Sequence, residues 1–131
     1  MEQNEKTKAL LAAFGCALAY LLAGKALAAV LPQVPEEVAR MWAFVHRCAA
    51  APIVEELVFR GIIQQLARPL GERQAVALQA VLFAVQHRGP AGMAYALVCG
   101  LVLGMLRSRT GSVWPGMLLH TLNNLLVFAA G

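Results

Sequence analysis

The sequence predicts an all-α fold, a polytopic transmembrane helical bundle of about five helical segments with four to five spans. Three observations carry this. Of 131 residues, 60% are hydrophobic and only 14% charged, too apolar a balance for a soluble chain of this size. The apolar runs approach membrane-spanning length and each ends on helix-stopping residues. The few polar groups inside the runs recur as pairs at helical spacing. A hydrocarbon core about 30 Å thick takes roughly 20 helical residues to cross, so the chain has room for four or five spans and short turns.

The first segment covers about residues 8–31 and stops at Pro32 and Pro35. Lys6 and Lys8 before the apolar run, with Ala26-Leu27-Ala28 after it, have the look of a signal peptide with a cleavage site. The run continues past Lys25 to Leu31, long enough to span, so a retained anchor is expected, with Lys25 reaching a polar partner by its flexible stem.

The second segment, about 36–67, exceeds one span. Residues 36–47 are expected to lie at the interface and 48–66 to cross, with Pro52 bending the entry. Pro69 and Gly71 end it, Gly89-Pro90 ends a third segment at 72–87, and Thr110-Gly111 ends a fourth at 91–108. A fifth covers 113–129. The expected organisation is an N-terminal membrane anchor and interfacial segment over 1–47 and a helical core over 48–131. In the fourth segment Gly92, Ala96, Gly100 and Gly104 put small side chains on one face, where another backbone can approach closely, within the bundle or in a homo-oligomer.

The net charge of +4 comes from eleven Lys and Arg residues scattered singly, which excludes a nucleic-acid stripe and reads as topology signals. If the segments alternate, Lys6, Lys8, Arg68, Arg73, Arg107 and Arg109 share one side and Arg40 and Arg88 the other, with Arg47 near that edge. The N-terminus is then cytoplasmic. Cys16, Cys48 and Cys99 lie in apolar stretches, odd in number and without CxxC spacing, and read as packing residues.

Ionisable groups at membrane depth are costly and so are candidates for function. Here they are Glu55, Glu56, Arg60, His87 and His120, with Asn124. Glu56 and Arg60 stand at i and i+4, acid first, the order that favours an ion pair. Glu55 points about 100° away around the helix and is left without a local partner. Phe83 and His87 share a face of the third segment, and His120 and Asn124 a face of the fifth. A carboxylate and an imidazole converging on one water make a general base, and an imidazole N–H with an amide NH2 make donors for an oxyanion. That is the equipment of a peptidase. The blander alternative is a set of buried hydrogen bonds that hold a bundle together.

Other proteolytic chemistries find less support. The chain contains no Asp, which rules out a dyad of two aspartates. Ser108 and Ser112 lie near a turn and outside any GxSxG, and Cys48 and Cys99 lack a positioning motif. Glu55, His87 and His120 would suffice as three zinc ligands with an open position, so a zinc enzyme is the runner-up; no cofactor is favoured.

The residues resemble the CAAX prenyl protease and bacteriocin-processing family, also called the ABI or CPBP family, whose pattern is EExxxR, FxxxH and HxxxN or HxxxD on separate membrane helices. Glu55-Glu56-Leu57-Val58-Phe59-Arg60 matches the first, Phe83 to His87 the second and His120 to Asn124 the third. The likeness covers about residues 48–128. It implies an intramembrane glutamic-type endopeptidase in which Glu55 and His87 activate water, His120 and Asn124 line the oxyanion site, and Glu56 and Arg60 are supporting structure. The implied partners are membrane lipid and a membrane-anchored substrate: a prenylated tail, a bacteriocin-like peptide or a C-terminal sorting signal. With the N-terminus inside, the pocket opens nearer the outer face, which favours exported substrates in a bacterial plasma membrane. The same fold in a non-catalytic immunity or scaffold protein is the alternative.

Overall fold

The computed structural model describes all 131 residues, and every regular element in it is helical. α1 runs Glu2–Val30. It starts six residues earlier than the hydropathy suggests, because Lys6 pairs with Glu2 and Lys8 with Glu5 along its exposed first turns. A second helical run begins with α2, Glu36–Val45, and passes through a π-helical stretch at His46–Ala50 into α3, Ala51–Glu55. A second π-helical stretch, Glu56–Ile63, then leads into α4, Gln64–Leu66. After a 3-10 turn at Arg68–Leu70 come α5, Glu72–Ala84, α6, Gly89–Thr110, and α7, Trp114–Ala129.

Pro52, expected to bend the membrane entry, lies within a continuous helical run. Its missing N–H is accommodated by a local change of register, in which the Ala51 N–H reaches back to the His46 carbonyl, one residue further than in an α-helix. The helical path therefore continues unbroken from the interfacial segment to the glutamates.

Only 25 of the 131 residues are buried, and they include Glu56, Arg60, Gln64, Gln79 and His120. Leu18, Leu22, Val98, Val102, Leu119 and Leu126 face outward instead. Apolar side chains outside and charged ones inside invert the usual arrangement in water, and the bilayer is the solvent that stabilises it. α1 and α6 are long and apolar enough to cross a membrane. α5 has 13 residues and α7 has 16, about 20 and 24 Å of helix, short of the hydrocarbon thickness, so by length and composition two helices qualify as candidate spans of the four to five expected.

α1 lies against the second helical run in the antiparallel sense. It contacts Arg68–Leu70, and further along the edge of the Tyr20 ring meets Phe59 at 5.4 Å between centroids. Its buried face is Ala9, Ala13 and Ala17, spaced by four, which lets the helices close on each other. Gln86 donates to the Ala17 carbonyl at 3.4 Å. The anchor and the core therefore share one interior, in which Ala13 and Ala17 cluster with Phe59, Ile63, Leu82 and Phe83.

The small-residue face of α6 is used inside the chain. A Cβ at Gly100 would lie 2.9 Å from the Ala80 Cα, and one at Gly104 would collide with the Gln79 amide, so α5 and α6 touch almost backbone to backbone. Gln79 and Gln64 exploit this approach by donating to the carbonyls of Gly100 at 2.7 Å and Gly104 at 3.0 Å. Of the two uses left open for this stripe, packing within the bundle is the one seen: Ala96, Gly100 and Gly104 are buried, and Gly92 has open space above it.

Candidate active site

The junction between α3 and the second π-helical stretch falls between Glu55 and Glu56, so two adjacent carboxylates enter different surroundings. The Glu56 side chain is 1% exposed and its Oε1 faces two partners: the Arg60 guanidinium at 3.2 Å and His120 Nδ1 at 2.9 Å. Glu55 keeps 19% of its side chain accessible, and its one ionic contact is His120 Nε2 at 3.5 Å. His120 thus stands between the two carboxylates with one ring nitrogen toward each. The expectation that Glu55 has no partner on its own helix holds; its partner comes from α7.

Phe83 is the hub of the site. Its ring meets Phe59 at 5.1 Å, His87 at 4.7 Å and His120 at 5.9 Å between centroids, all edge-on, and the Arg60 guanidinium carbon lies 4.5 Å from its centroid. The last contact is a cation–π interaction in a dry interior, where such a contact is strongest. One aromatic side chain therefore sets the relative positions of both histidines and the arginine.

His87 does not sit on the third helix as its spacing from Phe83 suggests. α5 ends at Ala84, and residues 85–88 form a turn forced by the Gly89-Pro90 start of α6. Its ring folds back so that Nδ1 lies 3.0 Å from the Phe83 carbonyl. A carbonyl only accepts, so Nδ1 carries the hydrogen and the lone pair of the neutral ring is at Nε2. No hydrogen bond joins His87 to Glu55.

Asn124 has a different use from its neighbour His120. Its Nδ2 donates to the Arg47 carbonyl at 2.9 Å, and Cys48 Sγ approaches the Asn124 carbonyl at 3.9 Å. In a π-helical register the Arg47 carbonyl is the acceptor that Pro52, lacking N–H, cannot serve, so the Asn124 amide supplies the missing donor and ties α7 to the interfacial run. Asn123 accepts from the Tyr95 hydroxyl at 2.5 Å, tying α7 to α6.

Gly116 is a site residue that the motif reading omits. A Cβ there would lie 2.7 Å from Glu56 Oε2, so only glycine lets α7 pass over the buried carboxylate. The available signal was its position four residues before His120, on the same helix face. No set of three His, Cys, Asp or Glu side chains is arranged to hold a metal ion, and Glu55, His87 and His120 do not form the ligand group the zinc reading requires.

A family model described as type II CAAX prenyl endopeptidase Rce1-like matches residues 35–126. No curated protein and no solved structure matches the chain.

Proposed function

The chain belongs to the type II CAAX prenyl endopeptidase Rce1-like family, and from that premise we propose that it is an intramembrane endopeptidase in which Glu55 and His87 activate the attacking water. The observation that carries the reading is the asymmetry of the two adjacent glutamates. Glu56 is sealed, with Oε1 turned to both Arg60 and His120, whereas Glu55 keeps 19% of its side chain accessible and has His120 as its one ionic contact. Glu55 takes a proton from that water while the oxygen adds to the scissile carbonyl. The C–N bond then breaks, and the same proton passes to the leaving amine. His87 supports the base through its free Nε2, whose lone pair is fixed by the bond from Nδ1 to the Phe83 carbonyl.

His120 and Asn124 are proposed to serve the developing oxyanion, with Glu56, Arg60 and Phe83 as their support. His120 is held on both sides by carboxylates and from the edge by Phe83, the kind of pre-organisation that electrostatic stabilisation needs. Asn124 reaches that role by turning from the Arg47 carbonyl to substrate. The proposed mechanism assigns no role to a metal.

The substrate class is a membrane-anchored protein or peptide: a prenylated tail, a bacteriocin-like precursor or a C-terminal sorting signal. Arg68 and Arg107 line one crevice and Arg73 and Arg109 an adjacent groove, so four of the basic residues gather at one end of the bundle. Placing that end in the cytoplasm of a bacterial plasma membrane puts the N-terminus inside and Glu55 nearer the outer face. The test is cleavage of lipid-anchored reporter peptides by the purified protein reconstituted in vesicles. Wild type is expected to cleave in the presence of a strong chelator and Glu55→Gln to be inactive. Activity abolished by chelation and restored by zinc replaces this mechanism with a metal-dependent one, and activity retained by Glu55→Gln removes Glu55 as the base.

A further inference from the structure

The arginine-rich end of α5 and α6 carries a feature that peptide hydrolysis does not use. Between the two helices lies a groove of about 380 Å³. Its inner walls are Val76, Leu101 and Met105, and Arg73 and Arg109 stand at its rim. Leu101, Met105 and Arg109 follow one another at intervals of four on a single face of α6, while Arg73 and Val76 are three apart on α5. The apolar walls therefore run into the membrane from a cationic mouth, over about 12 Å of helix.

The charge at the mouth is unbalanced. The carboxylate that borders the groove, Glu72, is engaged by the Ser108 hydroxyl at 2.5 Å and Arg68 Nε at 3.3 Å. Arg73 and Arg109 are exposed and make no ion pair or side-chain hydrogen bond within the chain. Behind Ser108, Arg107 has a buried Nε with no partner and lines a second crevice with Arg60 and Arg68. Guanidinium groups match phosphate oxygens in a fork geometry that lysine does not offer, and basic recesses beside membrane helices attract anionic headgroups.

We propose that this groove binds an anionic phospholipid, with the phosphodiester between Arg73 and Arg109 and one acyl chain along Val76, Leu101 and Met105. Charge complementarity selects the headgroup, and the apolar walls select a lipid over a soluble phosphate. Glu72 and Ser108 also line the groove, and there the Glu72 carboxylate is bonded to Ser108 and paired with Arg68.

Native mass spectrometry of the full chain, released from micelles doped with equal amounts of phosphatidylglycerol and phosphatidylcholine, tests the proposal. Wild type is expected to retain one phosphatidylglycerol with roughly thirtyfold preference, about fivefold for each arginine at the membrane surface. The pair Arg73→Gln and Arg109→Gln is expected to abolish the preference, and the exposed control pair Arg40→Gln and Arg88→Gln to keep it. Met105→Trp, which fills the groove and leaves both arginines, is expected to reduce retention of the lipid. Equal retention of the two lipids by wild type, loss of preference in the control pair, or full retention in Met105→Trp would each overturn the proposal, the last by reducing it to surface charge.

Discussion

Exchanging each glutamate for glutamine is expected to separate stability from chemistry at adjacent positions. Glu56→Gln removes the counter-charge from Arg60, whose side chain is fully buried at 3.2 Å from Glu56 Oε1. Breaking a buried ion pair from one side costs about 3–5 kcal/mol, and the lower end applies because the new amide oxygen still accepts from His120. Glu55→Gln alters a side chain that is 19% exposed and holds one contact at 3.5 Å, so its cost is at most about 1 kcal/mol. For a chain of this size those values correspond to a fall in the unfolding midpoint on the order of 10 °C for Glu56→Gln and under about 4 °C for Glu55→Gln. Thermal unfolding of the purified proteins in mild detergent reads the first quantity, and cleavage of a reconstituted reporter below both midpoints reads the second. Glu56→Gln should retain measurable turnover while it remains folded, and Glu55→Gln should be folded and inactive. Equal midpoints, or a larger loss of stability in Glu55→Gln, would refute the assignment of the two roles.

Further expectations concern packing, the oxyanion site and acid stability. Gly100→Ala should lower the unfolding midpoint, because overpacking against the Ala80 backbone costs about 1–3 kcal/mol and outweighs the helical gain of about 1 kcal/mol, whereas Gly92→Ala, with nothing within 4 Å, should be neutral or stabilising in the same assay. Asn124→Ala should lower kcat by on the order of 100-fold with KM little changed in steady-state cleavage assays; a change confined to thermal stability would leave the residue only its bond to the Arg47 carbonyl. The Ser108 hydroxyl, and to a lesser degree Arg68, holds the Glu72 carboxyl below its ordinary range. A depressed native value contributes stability above the ordinary carboxylate range and loses it as pH falls through the native value, so the stability gap between wild type and Ser108→Ala should close on acidification; a gap constant with pH would contradict this.

The polar cluster was legible in the sequence because charged residues are so costly in apolar runs that their spacing carries information. The i, i+4 relation of Glu56 and Arg60 survives in the structure as an ion pair, even though the intervening helix is π-helical. The π-helical register itself leaves no mark on hydropathy, and with it went the pairing of Asn124 with the Arg47 carbonyl, which depends on which acceptor Pro52 abandons. His87 was placed on the helix because four-residue spacing also arises when a histidine in the following turn folds back on the last carbonyls. The Ala9, Ala13 and Ala17 face reads as generic anchor until its partner is known; the packing of Tyr20 on Phe59 and the bond from Gln86 to the Ala17 carbonyl show that α1 shares the interior. The small-residue stripe of α6 was recognised, but a stripe does not name the helix that fills it.

The most direct test of intramembrane proteolysis by Glu55 is a comparison of new protein termini in membranes from cells expressing wild type or Glu55→Gln at equal levels. Termini found only with wild type are expected, and their positions name the substrate and show which side of the bilayer is cut. Identical termini, with both proteins folded and the native host's partners supplied, would contradict proteolysis by Glu55 and leave a non-catalytic immunity or scaffold protein built on the same fold.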